Sequence, residues 1–278
     1  MTTMTDIEFD YIEVGTTGDD QISGMQGDDL LNGDSGDDTL IGFGGNDLLM
    51  GDDFRLDEYL SDQEIFAPGD EAEDYLAILY TAWQSSDVTS LEDYAPYIHD
   101  FLFGDIQFPL SLFEGDGGDR IIGGAGNDVI YGGGGDDYIG GGSGNDVMIG
   151  VAGNNDMLGG TGDDLVIGGI GNDRLFGNDG NDTLVGTTGN DFYIGGEGND
   201  FFVFYEQFPS ESSHDRVVDY TQGEDTIVLL YTGDEFEDLS LTQVGSTVVL
   251  ELSQTNTVTF NNTQLSDLTE DDFMFSYG

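Results

Sequence analysis

Apolar residues recur along this chain with a period of nine, which is neither the period of an amphipathic helix nor that of an alternating strand. Four consecutive nonapeptides run from Gly15 to Met50, and ten more run from Glu114 to Val203. The eighth position of every unit is apolar or aromatic, from Ile22 to Phe202. Such a fixed period predicts a repeat fold in which each unit buries its apolar residue against neighbouring units.

Each nonapeptide predicts one loop and one short strand. The fourth position is always glycine, and the first is glycine in all units except the one that begins at Glu114. Glycine supplies backbone conformations with positive φ and lets adjacent turns approach closely. The fifth position is Asp or Asn in thirteen of fourteen units, and both tolerate the left-handed region. Positions seven to nine, such as Thr39-Leu40-Ile41, suit a strand with its eighth residue inward. Two units then make one turn of a parallel β-roll, and successive turns stack at roughly 4.8 Å.

The sixth position is aspartate in thirteen units and asparagine in the other. Stacking places each sixth residue beside the one eighteen residues along, so carboxylates such as those of Asp128 and Asp146 repel each other. A hard dication that accepts about six oxygens from carboxylates and carbonyls turns that repulsion into attraction. Zinc prefers His or Cys, and magnesium needs a tighter octahedral shell, so calcium fits best. The predicted ligands are Asp20, Asp29, Asp38, Asp47, Asp119, Asp128, Asp137, Asp146, Asn155, Asp164, Asp173, Asp182, Asp191 and Asp200.

The pattern G-G-x-G-x-D-x-U-x of these units resembles the repeats of the RTX (repeats-in-toxin) family of exported calcium-binding proteins. The resemblance covers 14 × 9 = 126 residues in the repeats. It implies an all-β fold, a right-handed parallel β-roll with Ca²⁺ between successive same-side loops, and roughly 8 to 12 ions. Asn155, stacked against Asp137 and Asp173, departs from the pattern, and a neutral amide oxygen ligates more weakly than a carboxylate.

The repeats divide the chain into five predicted segments. Residues 1–14 form an N-terminal strand or cap, 15–53 the first β-roll block, 54–113 an insertion, 114–203 the second block, and 204–278 a C-terminal β cap. The cap predicts strands at residues 239–244, 247–252 and 257–260. Helical spacing in the insertion predicts a small helical lid on the roll, or alternatively a binding surface for a partner chain or glycan. That spacing is carried by Ala72, Tyr75, Leu76, Leu79, Tyr80 and Trp83.

The charge of the chain excludes several classes of partner. Four basic residues face 58 acidic ones, which gives a formal net charge of −54. Such a chain cannot track a nucleic-acid backbone and is repelled by anionic lipid headgroups. Cysteine is absent, so disulfides and thiolate metal sites are excluded, and no apolar run of about 18 residues exists for a transmembrane segment. With 37% hydrophobic residues, the composition indicates a fold that waits for a counterion rather than permanent disorder.

No catalytic constellation emerges from the sequence. His99 and His214 have no motif around them, and the zinc-protease sequence HExxH is absent. Two fragments resemble hydrolase nucleophile motifs, around Ser35 and Ser143, but both lie in register with the repeat. We therefore expect that the protein is not an enzyme.

The C-terminal residues 268–278 resemble the uncleaved signal of type I secretion substrates, whereas the N-terminus lacks a secretory signal peptide. This resemblance implies a type I exporter as a partner and a secreted or cell-surface location. Three roles stay open from the sequence: a self-assembling structural, surface-layer, matrix or filament subunit; a non-catalytic glycan-binding or partner-binding, adhesin-like module; and a calcium buffer or carrier. Ice binding is disfavoured because the third repeat position varies from Thr17 to Glu197.

Overall fold

The computed structural model describes residues 9–52, 117–205, 213–230, 236–253 and 255–276. Within these ranges the chain is built of strands, with three short 3₁₀ turns near the C-terminus. Two sheets of mostly parallel strands coil into a parallel β-roll, which confirms the predicted architecture. The helical insertion predicted for residues 54–113 and the N-terminal Ile7 lie outside the described residues.

The chain alternates between the two sheets as it coils. Sheet I contains β1 (Tyr11–Val14), β3 (Asp29–Asp34), β5 (Leu48–Asp52), β7 (Val129–Gly133), β9 (Val147–Ala152), β11 (Leu165–Ile170), β13 (Thr183–Thr188), β15 (Phe201–Tyr205), β17 (Thr226–Leu230) and β21 (Phe273–Ser276), in that order. Sheet II contains β2 (Gln21–Ser23), β4 (Thr39–Gly44), β6 (Arg120–Ala125), β8 (Tyr138–Ser143), β10 (Asp156–Thr161), β12 (Arg174–Asp179), β14 (Phe192–Glu197), β16 (His214–Val217), β20 (Thr257–Asn261), β19 (Thr247–Glu251) and β18 (Ser240–Val244), in that order.

The eighth position of each repeat points into the roll, as predicted. Strands two apart in sequence pair in parallel, so that Val166 lies opposite Leu184, eighteen residues along. All fourteen eighth-position side chains are buried, with at most 3% of their surface exposed. Full burial of an aliphatic side chain of this size contributes about 1.5–3 kcal/mol. This column is Ile22, Leu31, Leu40, Leu49, Ile121, Ile130, Ile139, Met148, Met157, Val166, Leu175, Leu184, Tyr193 and Phe202.

The two repeat blocks form one continuous roll. Strand β4 pairs with β6 and β5 pairs with β7, so the turns on either side of the insertion are direct neighbours. The carbonyl group of Gly51 packs against Gly33 in the way that the carbonyl group of Gly42 packs against Gly24. Gly51 therefore takes the first position of the split unit. The sequence-based alignment had placed Glu114 there, and Glu114 lies outside the described ranges. Gly117 takes the fourth position of that unit, so the extra residues enter within a loop, where long insertions cost little.

The C-terminal segment continues the roll and then closes it. Strands β16, β17, β20 and β21 extend the two sheets in parallel, after the glycine repeats have ended. Strands β18 and β19 pair antiparallel and end sheet II. The three strands predicted for the cap are thereby confirmed as β18, β19 and β20.

The sequence analysis explained Asp and Asn at the fifth repeat position by their tolerance of the left-handed region, and this explanation was wrong. Among the described repeats, no Asp or Asn at this position has a positive φ; the non-glycine residues that do are mostly at position two. The fifth-position side chains instead form hydrogen-bonded ladders along the surface. Oδ1 of Asn127 accepts from the backbone N–H of Asn145 at 2.9 Å, and Oδ1 of Asn145 accepts from that of Asp163 at 3.0 Å. Hydrogen bonding of the side chain to the backbone of the adjacent turn, rather than backbone tolerance, explains the preference.

The outward faces of the two sheets differ in character. On sheet I, positions seven and nine carry buried apolar side chains, among them Leu48, Val147 and Ile167. On sheet II, the seventh position carries Arg120 and Arg174, which stay exposed. The two sheets are therefore equivalent in their inner surface but not in their outer one.

Glycine at position four can be tested with a matched pair of variants. At Gly162, φ is +123°, and an added Cβ would overlap the carbonyl group of Gly144 in the preceding turn. At Gly18, the same repeat position at the start of the roll, nothing lies within 4 Å. We expect Gly162→Ala to destabilise the calcium-saturated protein by about 1–3 kcal/mol and Gly18→Ala to have much less effect. Thermal unfolding followed by circular dichroism checks this, and equal losses in the two variants would contradict the stacking register.

Candidate metal centres

The sixth-position residues line the two edges of the roll in two ladders. The sheet-I ladder, whose residues precede the sheet I strands, contains Asp29, Asp47, Asp128, Asp146, Asp164, Asp182 and Asp200. The sheet-II ladder contains Asp20, Asp38, Asp119, Asp137, Asn155, Asp173 and Asp191. All of these except Asp20 are buried, with at most 3% of their surface exposed. The structure thus brings together, within each ladder, the residues that the sequence predicted as ligands.

From the second residue of each ladder onward, the side-chain Oδ1 is fixed by the backbone of the preceding turn. Oδ1 of Asp146 accepts from the backbone N–H of Asp128 at 2.8 Å. Oδ1 of Asp182 accepts from that of Asp164, also at 2.8 Å. The bond recurs along both ladders, so every carboxylate has a set orientation, and its second oxygen points in a set direction.

That second oxygen has no hydrogen-bond donor at ten positions. A buried acceptor without a donor costs roughly 1–3 kcal/mol, and more when it is charged. Because the arrangement recurs so many times, these oxygens require a cation or a proton in place of a hydrogen-bond donor. The ten Oδ2 atoms belong to Asp38, Asp47, Asp128, Asp137, Asp146, Asp164, Asp173, Asp182, Asp191 and Asp200.

At seven of these positions, Oδ2 shares a small space with a backbone carbonyl oxygen of the following turn. A Cβ added to Gly123 would overlap Oδ2 of Asp128 and would lie 2.7 Å from the carbonyl oxygen of Gly141. The same relation holds at Gly159, between Oδ2 of Asp164 and the carbonyl oxygen of Gly177. Glycine at the first position leaves this space open. Two acceptors that meet without a hydrogen between them need a cation.

The donor set of this space suits calcium. Carboxylate and carbonyl oxygens are the ligands of hard cations, and the irregular cradle has no imidazole or thiolate that zinc would select. In the described part of the chain, no three acidic or imidazole side chains converge on one point. Backbone carbonyls of the loops would therefore complete the shell around each carboxylate. When bound there, calcium supplies the positive charge that both oxygens lack.

A family model described as the RTX calcium-binding nonapeptide repeat matches residues 24–54, 115–148, 149–184 and 167–202. These segments are RTX calcium-binding repeats. Similar solved structures include the AlgE6R3 subunit of the Azotobacter vinelandii mannuronan C5-epimerase, with 25% identity, a TM-score of 0.34, and coverage of 48% of this chain and 80% of that one. Another is the extracellular lipase LipA from Serratia marcescens, with 15% identity, a TM-score of 0.30, and coverage of 89% and 67%. Comparison with curated proteins gives no match. No helix among the described residues is long and apolar enough to cross a membrane.

The RTX ladders extend beyond the repeats to two residues that the sequence analysis missed. Oδ1 of Asp215 accepts from the backbone N–H of Asp191 at 3.0 Å, and Oδ1 of Asp225 accepts from that of Asp200 at 3.1 Å. Both residues begin an aspartate-x-apolar triplet, which is the part of the repeat that forms the ladder and the strand. Neither turn has glycine at the first position, and only Gly223 remains at the fourth, so neither matches the whole nonapeptide.

Protein donors close the RTX ladders at their ends. Oδ2 of Asp20 accepts from the backbone N–H and the hydroxyl of Thr16, at 2.6 and 2.7 Å. Oδ2 of Asp215 accepts from the Ser213 hydroxyl at 2.8 Å, and Oδ2 of Asp225 accepts from the Thr221 backbone at 2.7 Å. The ten Oδ2 atoms that lack a donor therefore belong to interior carboxylates, which lie between two turns of the RTX roll. At the first rung of the sheet-I ladder, Oδ2 of Asp29 accepts from the Met25 backbone N–H at 2.5 Å, and Oδ1 is the oxygen without a donor.

Burial of these carboxylates favours their neutral form when no cation is present. Burial raises the pKa of Asp128 to about 8 and that of Asp164 to about 9, and neighbouring aspartates add to the effect. Burial and the charge of Asp215 raise the pKa of Asp191 to about 9. Protons and cations therefore compete for the same oxygens of the RTX roll.

A pH prediction follows for the metal-free RTX roll. Because the folded-state pKa values lie above the 3.8 of an ordinary aspartate, protonation favours the fold. This stabilisation is complete below about pH 4 and is lost as the pH rises through about 7 to 9. We expect chelator-treated protein to gain β-structure in far-UV circular dichroism between about pH 8 and pH 5.5, above the pI of 4.1. A metal-free chain with the same spectrum at both values would contradict the burial of the ladders.

Proposed function

We propose that this chain is a secreted, non-catalytic calcium-binding protein whose RTX roll folds on Ca²⁺ outside the cell and serves as a structural subunit of a surface layer, matrix or filament. The observation that carries the proposal is the set of ten buried carboxylate oxygens without a donor. These oxygens are suited to bind cations, and their repetition along the roll fits a structural role for the bound ions. The number of ions would be about ten, within the range that the repeat count implies.

The energy of binding is large enough to control folding. Extracellular calcium modules typically bind at about 10⁻⁴ to 10⁻³ M. A tenfold excess of free calcium adds about 1.4 kcal/mol for each site, so about ten sites contribute on the order of 14 kcal/mol. That equals the upper range of a whole domain's net stability, about 5–15 kcal/mol. The roll would therefore be largely unfolded without calcium.

The position of the predicted secretion signal supports export before folding. Phe273, within that signal, lies in β21, pairs with Ile227 of sheet I and is 8% exposed. Asp272 accepts a hydrogen bond from the Tyr220 hydroxyl at 2.8 Å and is buried as well. An exporter would reach these side chains in the extended chain rather than in the finished roll. The net charge of −54 would keep the chain extended in a calcium-poor cytoplasm.

The N-terminal end of the roll supports a self-association surface. Strand β1 pairs with β3 of its own chain. In the described residues, β1 is the terminal strand of sheet I. Its outward side chains Ile12 and Val14 are 60% and 59% exposed. A terminal strand with exposed apolar side chains invites contact with a second copy.

Calcium titration into chelator-treated protein tests the proposal, with far-UV circular dichroism and light scattering recorded together. We expect a cooperative gain of β-structure with calcium, no equivalent gain with magnesium at the same concentration, and scattering that rises after folding. The double variant Ile12→Lys with Val14→Lys should fold in the same way but scatter less. Folding without any rise in scattering would remove the structural-subunit role. The absence of a calcium-induced transition would remove the proposal as a whole.

A second candidate function is the binding of an extracellular glycan on the outer face of sheet II. The guanidinium of Arg120 lies 5.5 Å from the ring centre of Tyr138, and that of Arg174 lies 5.3 Å from the ring centre of Phe176. Arginine is scarce in this chain, which has four basic residues in total, and Arg216 occupies the same outward row. Guanidinium groups bind carboxylates in two-pronged geometry, so an acidic glycan that displaces Asp156 from Arg174 fits this row of arginines better than a neutral one.

Glycan-array binding by the calcium-loaded protein tests this candidate. We expect retained glycans to carry carboxylate groups, and we expect Arg174→Ala to reduce their retention several-fold with little rise in the calcium midpoint of folding. Thr39→Ala, at the same repeat position near the start of the roll, provides a matched control. Uniform absence of binding, or equal loss in both variants, would rule out a glycan site on this face.

A further inference from the structure

Asn155 interrupts the sheet-II ladder at its centre, between Asp137 and Asp173. Its Oδ1 accepts from the backbone N–H of Asp137 at 3.0 Å, and its own backbone N–H donates to Oδ1 of Asp173 at 2.8 Å. With 1% of its surface exposed, it is as buried as its neighbours. Half of the side chain therefore performs the same task as the aspartates of the ladder.

The other half of the side chain does what no aspartate of the ladder can do. Its Nδ2 donates to the carbonyl oxygen of Gly168 at 3.2 Å. At the next rung on the same edge, Oδ2 of Asp137 and the carbonyl oxygen of Gly150 meet instead as two acceptors. The Asn155 amide thus places a hydrogen where the aspartate rungs need a cation.

The surrounding hydrogen bonds fix the orientation of this amide. If it were reversed, Nδ2 would face the N–H of Asp137, and Oδ1 would face the carbonyl oxygen of Gly168. Two donors would then meet on one side and two acceptors on the other, each at a buried position. The orientation with both bonds satisfied is therefore the stable one.

We propose that Asn155 closes its rung with an amide hydrogen in place of an ion, so that this rung of the roll forms without calcium. The inference rests on the proposed function, because it assumes that the aspartate rungs bind calcium. It differs from the sequence-based expectation, in which Asn155 is a weaker ligand of an ion shared with its neighbours. The amide nitrogen would repel a cation from this space, and the carbonyl oxygen that a cation would need is already engaged.

A second ion-free contact joins the same two turns of the roll. On the outer face, the guanidinium of Arg174 in β12 pairs with the carboxylate of Asp156 in β10 at 3.0 Å. With side chains 56% and 41% exposed, this pair is weak on its own. Together with the Asn155 amide, this ion pair gives the centre of the roll contacts that form without bound calcium. The central turns would therefore order at lower calcium concentration than the turns on either side.

Two reciprocal variants test the inference by the number of ions bound. Asn155→Asp restores the two facing acceptors, so the calcium-saturated variant should bind one ion more than the wild type. Asp164→Asn, on the other ladder, places an amide beside the carbonyl oxygen of Gly177 in the same relation, and should bind one ion fewer while remaining folded. Native mass spectrometry of the full chain with calcium counts the ions, and circular dichroism confirms the fold.

The outcomes separate this inference from the proposed function. A gain of one ion in Asn155→Asp and a loss of one in Asp164→Asn support the amide rung. Equal ion numbers in the wild type and Asn155→Asp would overturn it while leaving calcium binding intact. A wild-type chain that binds no calcium would overturn both. Amide hydrogen exchange at low calcium supplies an independent readout. We expect slower exchange in β10 and β12 than in β4 and β6. The reverse order would contradict the inference.

Discussion

The roll depends on one electrostatic constraint: each turn buries a carboxylate directly above the carboxylate of the turn before. Parallel stacking fixes this spacing at roughly 4.8 Å, and the hydrogen bond from each backbone N–H to Oδ1 prevents the side chains from turning away. Neither the apolar column inside nor the surface ladders of position five can relieve the repulsion. Glycine at the first position leaves space beside each Oδ2, and the meeting of that oxygen with a carbonyl makes the space a cation site rather than a cavity.

The chain deals with this constraint in three different ways. At the ends of the ladders, Thr16, Ser213 and the Thr221 backbone supply hydrogens to Oδ2. At the centre of the sheet-II ladder, Asn155 carries its own hydrogen. At the ten aspartates whose Oδ2 lacks a donor, the carboxylates need protons or cations, so the stability of the roll depends on the pH and the cation concentration of the solution. A fold of this kind couples folding to the calcium concentration without any moving part, since the concentration around the protein decides which state is stable.

The sequence was sufficient to predict the roll, its apolar column and the fourteen ladder residues, because the nonapeptide imposes the same geometry on every turn. The sequence-based prediction failed where an insertion splits a repeat unit, where a turn lacks part of the repeat motif, and where a side chain bonds to the adjacent turn. The split unit at Gly51 and Gly117 could not be recognised, because its two halves are separated by the insertion. Asp215 and Asp225 were not predicted as ligands, because their turns keep the aspartate but not the full set of repeat glycines. The fifth-position side chains accept hydrogen bonds from backbone N–H groups eighteen residues away. Residue preference alone does not reveal these partners.

Anomalous diffraction from crystals grown in calcium tests the central claim most directly, because it locates the ions rather than inferring them from folding. The account predicts a peak beside each of the ten Oδ2 atoms that lack a donor, in contact with the carbonyl oxygen of the following turn, and no peak beside Asn155. Peaks confined to exposed carboxylates, with the ladders free of metal in a folded roll, would contradict it.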